Sequence, residues 1–95
     1  MNNYSNANMS FLELKQFIGK LLRTRRLWVN GGVRFVPNRY CLLVDVVRAT
    51  EVGISGTPYT WPRAFQATLL TDDEHVYRQV FTTTARFFDL FEVHR

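Results

Sequence analysis

A run of mostly apolar residues at positions 39–52, RYCLLVDVVRATEV, constrains the fold of this chain more than any other feature. Its β-branched residues favour a strand, in which successive side chains point to opposite faces of a sheet. One face of that strand carries Tyr40, Leu42, Val44, Val46 and Arg48, and the other carries Cys41, Leu43, Asp45 and Val47. Both faces are mostly apolar, so the strand is predicted either to be covered on both sides or to use one face for self-association.

Asp45 places a carboxylate in the middle of this apolar run. Burying an unpaired charge is costly, so the side chain needs an arginine partner, such as Arg34, a position at an exposed or dimeric edge, or a raised pKa. A second interpretation is that Asp45 lines a pocket in a concave sheet. The sequence leaves these interpretations open.

Residues 9–26, MSFLELKQFIGKLLRTRR, carry the pattern of an amphipathic helix. Ser10 and Glu13 have the spacing of a capping box, in which each side chain accepts a hydrogen bond from the backbone at the helix start. Apolar residues then recur at helical spacing and make one face: Leu14, Phe17, Ile18, Leu21 and Leu22. The arginines that follow suit the negative end of a helix dipole. We therefore predict one helix that continues through Arg26.

Turn residues divide much of the remaining chain into strands. The segment LWV-NGG-VRFV predicts a hairpin, because Asn-Gly turns tolerate the positive φ that a tight hairpin requires. The segment RAFQATLL predicts a further strand. Residues 71–91 fit either a hairpin turn at 71–75, a strand through Thr83 and a short helix, or one long helix beginning at a capping box. Three consecutive threonines and the alternation in VYRQVFTT favour the hairpin.

Together these segments predict the α+β class. An N-terminal amphipathic helix is expected to pack on an antiparallel sheet of four or five strands, with the aromatic C-terminal segment ARFFDLFEV closing the core. Residues 1–8 are rich in Asn and Ser and have little to bury, so we expect a mobile polar leader. Residues 9–95 are then a single domain.

Composition narrows the setting in which the protein works. The chain is 46% hydrophobic and 15% aromatic, which is typical of a globular domain. No apolar stretch has the roughly 20 residues that a membrane-spanning helix needs, so no membrane partner is expected. The single cysteine, Cys41, excludes an intramolecular disulfide and fits a reducing compartment. A cytoplasmic location is therefore expected.

Few residues have the pattern of a catalytic or metal site. Cys41 with His75 or His94 would supply a nucleophile and a base, but a cysteine inside an apolar strand usually packs as a small hydrophobe. The run Asp72–His75 lacks the spacing of a calcium loop, and no glycine-rich segment has the spacing of a nucleotide fingerprint. We therefore predict no enzyme activity, no catalytic residue, no metal and no cofactor.

Charge is distributed unevenly along the chain. Residues 1–48 contain eight Lys and Arg against two Asp and Glu, whereas residues 49–95 contain four against six. This asymmetry predicts an anionic partner or association between copies. A nucleic-acid-binding surface would consist of Arg23, Arg25, Arg26, Trp28, Arg34 and Arg39, with the arginines on phosphates and the indole stacked on a base. Such contacts would not read sequence.

Exposed aromatic residues favour a different function. Tyr59 and Trp61 lie in the Gly/Pro loop GISGTPYTWPR, and Tyr40 begins the two-sided strand; all three are expected to contact a partner. Our first hypothesis is a small non-enzymatic accessory protein that binds a second copy or another protein. Sequence-nonspecific nucleic-acid binding is the alternative, and small-ligand binding in a curved sheet is a lesser alternative.

Overall fold

The computed structural model describes residues 10–30, 32–53 and 64–94 of the chain. In chain order, its elements are helix α1 (Phe11–Lys15), strands β1 (Leu21–Thr24), β2 (Trp28–Asn30), β3 (Val33–Phe35) and β4 (Tyr40–Arg48), a 3-10 helix (Ala49–Val52), strands β5 (Phe65–Thr71) and β6 (Val76–Phe81), helix α2 (Thr84–Leu90) and strand β7 (Phe91–Val93).

Five of the strands form one antiparallel sheet in the order β6-β5-β4-β1-β7, and β2 and β3 form a separate hairpin. The predicted α+β class and the antiparallel sheet of four or five strands are confirmed, and the sheet has five. The hairpin around the Asn-Gly turn is also present, with Trp28 opposite Phe35. Residues 71–91 contain the turn, the strand β6 and the short helix α2, which excludes the single long helix.

The predicted helix over residues 9–26 is wrong beyond its first turns. The capping box is present: Ser10 Oγ accepts from the Glu13 N–H at 3.1 Å, and Glu13 Oε1 accepts from the Ser10 N–H at 3.1 Å. The α-helix ends at Lys15, however, and residues 21–24 form strand β1. The physical reason is tertiary pairing, because β1 lies between β4 and β7 and hydrogen-bonds to both.

Gly19 connects the helical turns to the sheet. Its φ of +88° lies in the left-handed region, which glycine adopts without the steric strain that a Cβ introduces. In this conformation its N–H donates to the Leu43 carbonyl at 2.7 Å, so the chain joins β4 directly after the turn. A continuous helix is incompatible with this backbone geometry.

The core lies on one face of the sheet, which we call the inner face. Helices α1 and α2 and the β2–β3 hairpin cover it, with Leu14, Trp28, Phe35, Phe87 and Phe88 among the residues that pack there. Trp28 stacks on Phe35 with ring centroids 5.0 Å apart and also contacts Phe81 and Phe91. The C-terminal residues Phe87 and Phe91 are fully buried.

A β-bulge in β4 changes the alternation that the sequence predicted. Leu43 pairs with Leu69 and Asp45 with Thr68, so Val44 has no partner on β5. Residues after the bulge are therefore shifted by one: Val46 is fully buried on the inner face, although simple alternation predicts that it shares a face with Leu42.

The longest helix in the described residues is α2, with seven residues. None of the described helices is therefore long and apolar enough to cross a membrane.

We predict that Gly19→Ala destabilises the protein by about 1 kcal/mol, because an L-residue with a Cβ is strained at this positive φ. Apart from its chain neighbours, no atom lies within 4 Å of the position that an alanine Cβ would take, so the cost is one of backbone conformation and not of a clash. Urea unfolding measures the change, with Gly19→Asn as the matched control, since asparagine tolerates the left-handed region better. An alanine variant as stable as the wild type, or one with more helical circular dichroism, contradicts this account.

Candidate interaction surface

Three arginines of the predicted nucleic-acid surface pair with carboxylates from the second half of the chain. Arg23 Nη2 lies 2.7 Å from Glu92 Oε1, Arg26 pairs with Asp89, and Arg39 Nε donates to Asp72 Oδ2 at 3.0 Å. The basic first half and the acidic second half thus partly neutralise each other within one molecule. The hydrogen bond from Arg39 holds the pKa of the Asp72 carboxyl below its usual range.

The other members of that predicted surface have different surroundings. Arg25 Nη1 donates to the Phe88 carbonyl at 3.3 Å, at the end of α2. Trp28 packs against three phenylalanine rings and is only partly exposed, so its ring is not a free stacking platform. Arg34 is exposed on the hairpin and has no carboxylate partner among the described residues.

Cys41 is buried on the inner face of β4, with 3% of its surface exposed. Burial raises the pKa of its thiol to about 12, so the thiolate needed for nucleophilic attack is scarce at neutral pH. Among the described residues, neither histidine hydrogen-bonds to it: His75 Nδ1 contacts Asp73 Oδ2 at 3.0 Å, and His94 packs edge-on against Tyr40.

The acidic residues at 72–74 belong to the turn between β5 and β6. Thr71 donates to Asp73, and this hydrogen bond, with a second contact from His75, lowers the pKa of the Asp73 carboxyl. In residues 10–30, 32–53 and 64–94, no group of three or more His, Cys, Asp or Glu side chains is arranged to hold a metal ion.

Two of the three predicted partner-binding residues, Tyr59 and Trp61, lie outside the described residues, as does the predicted leader at 1–8. The third, Tyr40, begins β4 and is 36% exposed. Its ring packs against His94 at 5.0 Å, next to the Arg23–Glu92 pair.

Tyr40 lies on the second face of the sheet, which we call the outer face. Both helices and the hairpin pack on the inner face, so no described element covers the outer face. Cross-strand pairing aligns Val76, Leu70, Leu42 and Leu21 in one row across β6, β5, β4 and β1. Val76 is 52% exposed and Leu21 is 40% exposed. Leu70 and Leu42, between them, are partly exposed, and this apolar row is our candidate interaction surface.

The bulge assigns Asp45 to this outer face. Its side chain is exposed, and its Oδ1 accepts a hydrogen bond from the Val46 N–H at 2.9 Å. The predicted pair with Arg34 is absent, and the residue does not line a buried pocket. The sequence missed this placement because simple alternation puts Asp45 beside Cys41 and Leu43, on the inner face.

Two concavities lined by described residues bear on small-ligand binding. A cavity of about 80 Å³ is lined by residues that include Arg34, Cys41 and Tyr77, and it is small against the roughly 300–1,000 Å³ of ordinary ligand sites. An open groove of about 400 Å³ runs beside β6 and is lined by residues that include Trp28, Arg86 and Leu90.

Comparisons with protein-family models, with curated proteins and with solved structures found no match to this chain. What this surface binds is therefore inferred from its geometry alone.

We predict that Cys41 in the folded protein reacts with a disulfide reagent such as DTNB at least about a hundredfold more slowly at pH 8 than in urea, because folding buries the thiol and disfavours its thiolate. Stopped-flow absorbance measures both rates. Similar rates in the two conditions contradict the burial of Cys41 and restore it as a candidate nucleophile.

Proposed function

We propose that this protein is a small non-enzymatic accessory protein that acts through protein–protein contacts made by the outer face of its sheet, and that it self-associates. The observation that carries the proposal is the apolar row of Val76, Leu70, Leu42 and Leu21. Antiparallel sheets that are covered on one side usually present polar residues to water on the other. An apolar row on that second side is typical of a surface that another protein covers.

Covering this apolar surface with a partner is favourable in free energy. Removing apolar surface from water contributes about 25 cal/mol per Å², and large side chains in the middle of a sheet lie close enough to be buried together. Val44, which ordinary alternation from the buried Leu43 directs outward and which is 42% exposed, extends the apolar surface beside Leu42. The single buried thiol is compatible with work in a reducing compartment such as the cytoplasm.

The described ion pairs favour protein contact over nucleic acid. Arg23, Arg26 and Arg39 each have a carboxylate neighbour, which a phosphate would have to displace. The outer face carries the carboxylates of Asp45 and Glu92 beside the cations of Arg78 and Arg23, so it is not the uniformly cationic surface that a phosphate backbone favours. The groove beside β6 keeps small-ligand binding as a further alternative.

We predict that Val76→Lys weakens self-association at least tenfold, because it places a charge in the apolar row. The wild type is expected to have at least twice the 11.2 kDa monomer mass at micromolar concentration, measured by light scattering after size exclusion. Leu12→Lys is the matched control, since Leu12 is 72% exposed on α1, in the layer that covers the inner face. A single 11.2 kDa species throughout, or equal weakening by both variants, contradicts the proposal.

We also predict at most weak, salt-sensitive binding to labelled single- and double-stranded DNA and RNA. Filter binding at low and moderate salt measures it, because phosphate contacts lose affinity steeply as salt rises. An affinity tighter than about 1 μM at physiological salt, lost in the Arg25→Ala and Arg26→Ala double variant, would favour the nucleic-acid function instead.

A further inference from the structure

On the outer face, the residues of β6 and β4 that flank β5 correspond to each other row by row. Three rows cross the strands β6, β5 and β4 in register. The first row runs Val76, Leu70, Leu42, and the third runs Val80, Gln66, Val47, so both have apolar residues at their two ends. The middle row runs Arg78, Thr68, Asp45, so its two ends carry opposite charges.

Asp45 and Arg78 have no partners of opposite charge among the described residues. They sit two strands apart, about 10 Å at the usual strand spacing. Both side chains are exposed, and the Val46 N–H bonded to the Asp45 carboxylate fixes one of them at the bulge. Three other arginines of the same chain do have carboxylate neighbours. These two charges therefore remain available to an outside partner.

We propose that a second copy of this chain covers the outer face across a two-fold axis that runs along β5, so that Arg78 of each copy pairs with the partner's Asp45. The inference rests on the proposed function and specifies its partner. A half-turn about that axis exchanges the positions of β4 and β6 and keeps their register. Val76 then lies over the partner's Leu42, and Val80 lies over the partner's Val47.

This arrangement satisfies what two-fold symmetry requires of an interface. In such a dimer the same patch serves both copies, so each contact occurs twice with the residues exchanged. Sheets packed face to face lie about 10 Å apart with their strands within about 30° of parallel, close enough for facing side chains to meet. An apolar row facing an apolar row, and a cation facing an anion, make this face complementary to itself.

The β-bulge in β4 is needed for this complementarity. Without it, the alternation from Leu43 would direct Asp45 inward and Val46 outward. With it, Asp45 lies opposite Thr68 in the row of Arg78. Bulges commonly redirect a side chain near a functional surface, and here the redirected group is the carboxylate of the proposed pair.

Charge reversal tests the inference on the full chain. Asp45→Arg and Arg78→Asp are each expected to weaken self-association at least tenfold, because each homodimer would contain two like-charged pairs. The two single variants mixed together should associate again, since one then supplies only arginines and the other only aspartates at both positions. The double variant Asp45→Arg/Arg78→Asp should also associate. Sedimentation equilibrium measures every constant, and Arg86→Asp, at an exposed arginine on α2, is the matched control.

Each outcome is decisive. Far-UV circular dichroism and urea unfolding identify any variant that does not fold. Such a variant is replaced by the milder Asp45→Asn or Arg78→Gln, which should weaken association less. If Val76→Lys disrupts the dimer but the mixed or double variants do not regain association, the orientation is wrong and the outer face remains an interface. If the reversals have no effect, the orientation is likewise wrong. A wild-type monomer at all concentrations overturns both proposals and means that another protein or segment uses the face.

Discussion

The pairing of β4 with β1 and β5 organises the whole structure. β4 is the longest strand, at nine residues, and it lies in the middle of the five-stranded sheet. Its inner residues Cys41, Leu43 and Val46 form the floor on which the helices and the hairpin pack. Its outer residues Leu42 and Val47 form the middle of the exposed face. The bulge at Val44 therefore affects both faces at once, because it shifts which side chains reach the core.

The elements that the sequence predicts well are those determined by local chemistry. The Asn-Gly hairpin, the capping box at Ser10 and the strand β6 depend on turn and cap residues close to them in sequence. The helix over 9–26 is predicted from apolar residues at helical spacing, and Leu21 and Leu22 fit that spacing only by chance. Leu22 is fully buried and Leu21 is 40% exposed, which is the alternation of a strand. Pairing with distant strands overrides the local pattern, and nothing near Leu21 signals it except the glycine at position 19.

The candidate surface is predictable only in outline. The two apolar faces of the run at 39–52 predict either a strand covered on both sides or one face available for association, but the bulge that decides which residues occupy each face has no marker in sequence. Glycine often accompanies a bulge, and here the residue is Val44. Tyr40 does lie at an accessible position, whereas Tyr59 and Trp61 lie outside the described residues. The sequence does not point to Leu21, Leu70 and Val76 as members of this surface. Which residues of different strands lie side by side on one face depends on the register in which the strands pair.

The ion pairs between the two halves of the chain follow from the same sheet topology. The C-terminal strand β7 and helix α2 return to the start of the sheet, which brings Glu92 to Arg23 and Asp89 to Arg26. Such exposed pairs each contribute little to stability, typically below about 1 kcal/mol. Their larger consequence is for recognition, because they reduce the cationic surface that the linear sequence suggests. The charge asymmetry between the two halves is therefore partly neutralised within the molecule. On the outer face, Arg78 and Asp45 have no partner of opposite charge among the described residues. Under our proposal, these two opposite charges favour a partner with the same pattern over one with a uniformly negative surface.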